Sequence, residues 1–342
     1  MRTYRAGVIG LGQVGMLYEL DPYTLRRYPY PSHTSCYQVH PRTTLVAGCD
    51  VDAGKRELFR QRYPAARAYR DAQDMLRTAS LDLVSVCVPT PLHATMVRAA
   101  VASGVQLVIC EKPLGSVVAT AADVSELCRK AGVGLLVNYW RRFDESHQTL
   151  RRFITDGVVG QLQHLHGFYG RGLLGNGAHL INLWLWLAGP IEWVVGVPGP
   201  AELPGDSARQ VLLGFTSGAT GSLATVSYAA YRLFETDVLG TAGRITVKNE
   251  GLDLRLYGIQ PNEDVSGARQ LIHDGRTIPS TVGMAMYRLV EAAVDCLDTD
   301  QRPLPLDVLE TLAVLEAIER SVREGGRQVA VDAGALSCGV EP

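Results

Sequence analysis

The run Val108-Ile109-Cys110-Glu111-Lys112-Pro113 sets reactive groups against a strand end. An apolar stretch with the character of a buried strand stops at an acid, a lysine and a proline. In an open parallel sheet, ligands bind at the carboxyl ends of the strands. The chain has four lysines among its 33 basic residues, so a cation with no special task would usually be arginine. Lysine, unlike arginine, gives up its proton when partly desolvated. Two readings of Lys112 stand at this point: a reactive ammonium, or a solvated strand-end residue paired with Glu111.

The elements that must position Lys112 begin at the amino terminus. Ala6-Gly7-Val8-Ile9 is a short apolar strand that runs into Gly10-x-Gly12-x-x-Gly15. In this pattern the first glycine permits a tight turn, the second admits a pyrophosphate to the backbone, and the third allows close helix–strand packing. A helix start would then turn its N–H groups toward the phosphates. Residues 16–31 interrupt that helix with three prolines, Tyr18, Tyr23, Tyr28, Tyr30, Arg26 and Arg27. This reads as an inserted loop, and helical pattern resumes at Ser32-His33, with Ser32 as N-cap. A second strand, 44–49, ends at Asp50, where a dinucleotide fold places the acceptor for the adenosine ribose hydroxyls. That carboxylate would repel a 2′-phosphate, which favours NAD over NADP, although Lys55 and Arg56 stand close by.

Further strands are expected at 67–69, 82–88, 105–110 and 133–137, alternating with helices. The 82–88 strand leads into Pro89-Thr90-Pro91-Leu92-His93, whose prolines force an extended turn. His93 is either a helix-cap or packing residue or a cofactor contact. The sixth strand ends at Asn138-Tyr139-Trp140-Arg141-Arg142-Phe143. This alternation argues for a doubly wound parallel sheet over residues 1–138. From 139 to 342 the pattern changes. An amphipathic helix at 144–155 and a strand at 161–169 precede Gly175-Asn176-Gly177-Ala178-His179, which opens an apolar helix. Strand-like runs at 209–215, 221–228, 235–239, 244–248 and 252–256 indicate a largely antiparallel sheet. Helices at 284–297 and 306–323 and a strand near 328–331 close the chain; the closing segment is expected to pack back on the first domain.

The totals exclude several classes. Formal net charge is −2 and 20% of residues are charged, with no basic excess for nucleic acid. No apolar run is long enough to span a bilayer, and the start shows no signal-peptide pattern. The seven cysteines include no CxxC and no metal-ligand spacing. They read as free thiols in a reducing, cytoplasmic compartment.

Taken in order, Gly10-x-Gly12-x-x-Gly15, Cys49-Asp50, Pro89-Thr90-Pro91 with His93, Glu111-Lys112-Pro113, Arg141-Arg142-Phe143 and His179 resemble the glucose–fructose oxidoreductase / inositol dehydrogenase (Gfo/Idh/MocA) family. Gly240-Thr241-Ala242-Gly243 and Ser321-Val322-Arg323-Glu324-Gly325 extend the resemblance over nearly the whole chain. It implies a Rossmann domain followed by an α+β domain with a large open sheet that makes homodimers or homotetramers. It implies cofactor contacts at Gly10, Gly12, Gln13, Val14, Gly15 and Asp50, at Val88, Pro89, Thr90 and His93, and at Glu111, Lys112 and Asn138. The Lys-Pro bond of such proteins is often cis, and Lys112 would contact the reacting hydroxyl. The family's second signature is an acid four residues before the histidine. Here that position is Gly175, with Asn176 three before, so an uncharged amide stands nearest the expected acid.

The activity this implies is hydride transfer between a secondary alcohol and NAD. His179 is the first candidate for the base and Lys112 for polarising the oxygen; the alternative gives the proton to Lys112 through Glu111 or solvent. Tyr139, Arg141, Arg142, Asn176 and His179 would face the substrate. A sugar, cyclitol or aminoglycoside is expected; the arginine- and alanine-rich usage suggests a GC-rich bacterial genome, where enzymes that resemble this family often modify secondary-metabolite sugars. Two rivals are a redox-neutral enzyme that oxidises its substrate transiently, and an inactive NAD- or sugar-sensing regulator.

Overall fold

The computed structural model describes residues 2–203 and 206–332. Contacts divide the chain into two units. The first is Met1–Phe143 with Gly283–Leu309, and the second is Asp144–Val282 with Glu310–Pro342. The division is therefore not the single cut at 138/139 that the change of pattern suggests, because a late segment joins the first unit.

In the first unit, β1 (Tyr4–Ile9), β2 (Thr43–Cys49), β3 (Arg67–Tyr69), β4 (Leu83–Val86), β5 (Leu107–Cys110) and β6 (Gly134–Val137) form one sheet ordered β3-β2-β1-β4-β5-β6. Every pair is parallel. The reversal of order between β1 and β4 is the switch point where such sheets bind ligands. Strands β4 and β5 are buried along their whole length, as expected of central strands covered on both faces. Val8, Leu83, Leu107 and Ile109 share a core with Leu289, Val290, Ala293, Val294 and Leu297. That second set lines one face of the helix Ala285–Asp298, which explains why it belongs here.

The second unit carries the expected, mainly antiparallel sheet: β7 (Leu162–Tyr169), β8 (Ile191–Leu203), β9 (Asp206–Phe215), β10 (Thr220–Thr225), β11 (Phe234–Gly240), β12 (Gly243–Lys248), β13 (Asp253–Pro261), β14 (Arg269–Ile278) and β15 (Val329–Ala330). Their order is β14-β13-β12-β11-β7-β10-β9-β8-β15, with β7 and β10 the parallel pair. β8 and β14 were not expected from the sequence. β8 contains Pro198 and Pro200, which read as breakers, and its pairing shifts register between Pro198 and Glu202. β14 is a polar edge strand without alternation, containing Gly275 at φ +84°.

Candidate active site

The glycine loop follows β1. Gly10 has φ +96°, and a Cβ there would lie 2.5 Å from the Cys87 carbonyl oxygen. At Gly15 a Cβ would lie 2.0 Å from the Gly10 carbonyl oxygen, whereas at Gly12 it would meet open space. The first and third glycines are therefore required by the fold, and the second keeps the approach clear. The Leu11 N–H donates to Asp50 Oδ2 at 2.9 Å, which ties the loop to the end of β2. Asp50 Oδ1 accepts from the Asp52 N–H at 2.9 Å, and Lys55 Nζ lies 3.6 Å from Oδ2. Arg56 donates instead to the carbonyls of Asp50 and Val51.

The expected helix after the loop is spliced. One turn forms, with Met16 N donating to Gly12 O and Tyr18 N to Gln13 O, both at 2.9 Å. The chain then leaves through a short 3-10 turn (Leu17–Leu20) and a single helical turn (Pro22–Leu25). It returns as the helix His33–Val39, capped by Ser32 as the sequence indicates. The N–H groups of His33 and Thr34 donate to Val14 O (3.0 Å) and Gly15 O (3.1 Å), the carbonyls that an unbroken helix would satisfy by its own next turn. Buried Glu19 anchors the excursion. It accepts from Thr34 Oγ1 at 2.8 Å, from the hydroxyls of Ser32 and Tyr63, and from Arg62.

This splice places His33 behind the Glu111-Lys112-Pro113 turn. His33 Nε2 lies 3.1 Å from Glu111 Oε1, and its Nδ1 lies 2.8 Å from Ser85 Oγ, which is 2.6 Å from the Tyr37 hydroxyl. Asn138 Nδ2 donates to Glu111 Oε1 at 2.6 Å. Burial pushes the Glu111 carboxyl up, but the His33 contact, the Asn138 amide and the Lys112 charge outweigh it and hold the group below its ordinary range. The Lys112–Pro113 peptide is cis. His93, 1% exposed, spends both ring nitrogens on the backbone: Nε2 is 2.7 Å from Val88 O and Nδ1 2.6 Å from Pro113 O. It thus ties the end of β4 to the lysine turn and offers no ring nitrogen to a cofactor. Val88, Pro89 and Thr90 form the approach to that tie, with Thr90 opening a short 3-10 turn.

Tyr139 and Arg141 are buried, and the Arg141 guanidinium lies 4.2 Å from the Trp140 ring centroid. Arg142 Nε lies 3.3 Å from Asp307 Oδ2. Of the side chains expected to meet substrate, Tyr139 and Arg141 are thus packed and Arg142 is paired.

In the second unit, Leu173–Gly177 is a π-turn leading into the helix Ala178–Ala188. Asn176 and His179 are half-buried, and the His179 ring meets Phe234 edge to face with centroids 6.4 Å apart. Gly175, where an acid was expected, is not without a carboxylate. The Leu174 and Gly175 N–H groups donate to Asp206 Oδ1 and Oδ2, both at 2.7 Å. Sequence reasoning missed Asp206 because it opens β9, far from His179 along the chain. It missed His33 as a partner of Glu111 for the same reason. Among the described residues, no cluster of metal-ligating side chains is present.

Comparison with known proteins agrees with this geometry. Residues 4–139 match the oxidoreductase family with an NAD-binding Rossmann fold, and residues 147–246 match the GFO/IDH/MocA C-terminal domain. The chain is 25% identical to D-apiose dehydrogenase of Paraburkholderia graminis over 308 residues, covering 82% of this chain and 81% of that one. It is 28% identical over 157 residues to myo-inositol 2-dehydrogenase of Thermotoga maritima, covering 46% and 42%. The fold is shared with the WlbA dehydrogenase of Bordetella pertussis, solved with NADH and UDP-GlcNAcA (TM-score 0.75, 20% identity, 97% and 98% covered). With both domain signatures in sequence order on a parallel and a mainly antiparallel sheet, the chain belongs to the Gfo/Idh/MocA family of oxidoreductases.

Proposed function

We propose that this oxidoreductase transfers hydride between a secondary alcohol carbon of a sugar or cyclitol and NAD(H). The observation that carries the reading is the Lys112 turn. It leaves the carboxyl end of β5 in the sheet whose β1 ends in the glycine loop, and its Glu111 is held as a carboxylate. The residues fit a dinucleotide. Gly12 is open, Asp50 keeps acceptor capacity for ribose hydroxyls, and Asn138 Oδ1 is buried without a hydrogen-bond partner, ready for a donor. Asp50 would repel a 2′-phosphate and Arg56 is turned to carbonyls, which supports NAD over NADP.

When bound, the cofactor supplies the hydride acceptor or donor. The chain's own groups handle the oxygen and its proton. Lys112 donates to the reacting oxygen and stabilises charge that develops on it, His179 takes or returns the hydroxyl proton, and Asn176 orients a neighbouring hydroxyl. The substrate class draws support from the apiose and inositol dehydrogenases among the relatives. An aminoglycoside or another secondary-metabolite sugar is the narrower expectation. We also place the protein in the cytoplasm as a homodimer or homotetramer built through its second sheet. Six free cysteines among the described residues support a reducing compartment; Cys338 lies outside those residues.

The test is turnover of a sugar, cyclitol and aminoglycoside panel with NAD and with NADP. NADH formation that is lost in Lys112→Ala and His179→Ala is the expected result. Full activity in both variants would overturn the assignment. Conversion without net NADH would favour a redox-neutral enzyme, and binding without turnover a sensor.

A further inference from the structure

We propose that Asp206 is the carboxylate partner of His179, delivered from β9 onto the turn that opens the His179 helix. The seat is built for it. A Cβ at Gly175 would stand 2.9 Å from Asp206 Oδ2, and one at Gly172 would stand 2.0 Å from its Cγ. Each oxygen accepts one backbone N–H, from Leu174 and Gly175, both at 2.7 Å. Side chains at these two positions would evict the carboxylate, so the glycine at 175 marks where the acid enters from another strand.

His179 is the second residue of the α-helix that the π-turn opens, and helical side chains lean toward the amino terminus, here toward the turn that carries the carboxylate. Phe234 limits its ring from the side. Three groups on adjoining segments have partners of their own. Arg171 stacks over Tyr228 at 4.8 Å, and Arg209 binds Glu319 with two contacts of 2.9 and 3.1 Å. The Tyr169 hydroxyl donates to the Arg209 carbonyl at 2.5 Å.

The role is positioning, and it rests on His179 being the base. A neutral imidazole has one N–H and one lone pair. A carboxylate that accepts the N–H leaves the other nitrogen to take the alcohol proton: the substrate O–H bond breaks, a ring N–H bond forms, and the imidazolium is stabilised by the carboxylate. A carboxylate that only capped the turn would hold the same two amides with no effect on the ring.

The experiment is an NMR titration of the His179 imidazole in the full chain without substrate, with the resonance assigned by its loss in His179→Ala. In Asp206→Asn the side-chain oxygen still accepts an amide but the charge is gone. The His179 pKa is expected to fall by about one pH unit or more. In the same variant kcat should fall roughly 10- to 100-fold with KM little changed, less than the ~10²–10⁴-fold of losing a general base. Gly175→Asp alone should be comparably harmful, because its seat is taken, and Gly175→Asp with Asp206→Gly should recover most of the activity. An unchanged His179 titration in folded Asp206→Asn would overturn the proposal, as would a double variant no better than either single one. If the titration moves but His179→Ala keeps full activity, the pairing stands and the base assignment falls.

Discussion

Glu111 is the carboxylate next to Lys112 in the chain, Asp206 is the one proposed to serve His179, and the two are held in opposite ways. Glu111 is the sequence neighbour of Lys112 and is fixed from behind by side chains: His33 backed by Ser85 and Tyr37, with Asn138 alongside. Asp206 is remote in sequence from His179 and is fixed by two backbone amides. The first arrangement is a buried polar chain that depends on several side chains at once. The second depends on one side chain and on glycines that leave it room. A local motif can thus be locked by distant partners, and a missing local group can be supplied by a distant strand.

The comparison can be broken most severely at the anchors. Glu19→Ala removes the acceptor shared by Arg62, Tyr63, Ser32 and Thr34, and should cost about 3–5 kcal/mol by chemical denaturation. Because Glu19 seats the excursion that carries the chain to His33, activity should fall with stability. Next, His33→Ala should cost about 1–3 kcal/mol by leaving buried Ser85 and Glu111 short of a partner. It should lower kcat as well, whereas Asp206→Asn should lower kcat while costing only the one backbone hydrogen bond that its amide nitrogen cannot accept, at the lower end of that range. A loss of stability in Asp206→Asn as large as in His33→Ala would erase the contrast.

Acid sensitivity sharpens it further. The folded Glu111 carboxyl titrates below its ordinary 4.5. The unfolded chain therefore binds the proton first, and the stabilisation is fully present above that pH and is lost as pH falls through the folded value. Glu111→Gln should flatten the acid limb of a stability–pH curve below pH 4.5. The smallest effect is expected at the far end of the chain of contacts. Tyr37→Phe should cost about 0.5–1.5 kcal/mol and leave kcat unchanged, since its hydroxyl reaches Glu111 only through Ser85 and His33.

These differences follow what sequence can and cannot express. The glycine loop, Asp50, the lysine turn and the Ser32 cap were legible because each is a short pattern whose geometry is local. The two-sheet architecture followed from a change of hydrophobic period. β8 escaped because its prolines sit at a register shift, and β14 because its residues are mainly polar and do not alternate. The sequence around Tyr139 and Arg141 shows their chemistry but not their burial, which the folded packing sets. His33 and Asp206 are visible only after the chain has folded, since nothing in a linear pattern records which strand ends meet.

The helix Ala285–Asp298 has a consequence for synthesis. It completes the first core with Leu289, Val290, Ala293, Val294 and Leu297, yet residues 144–282 must be made before it. At ~5–20 residues per second, that delay is on the order of ten seconds. Throughout it the nascent Rossmann sheet lacks the apolar face that closes its core. A fragment ending at Phe143 should bind a hydrophobic dye and resist refolding, and adding the 283–309 segment as a separate peptide should restore order. The nucleotide-binding half comes first off the ribosome, but its core is completed late.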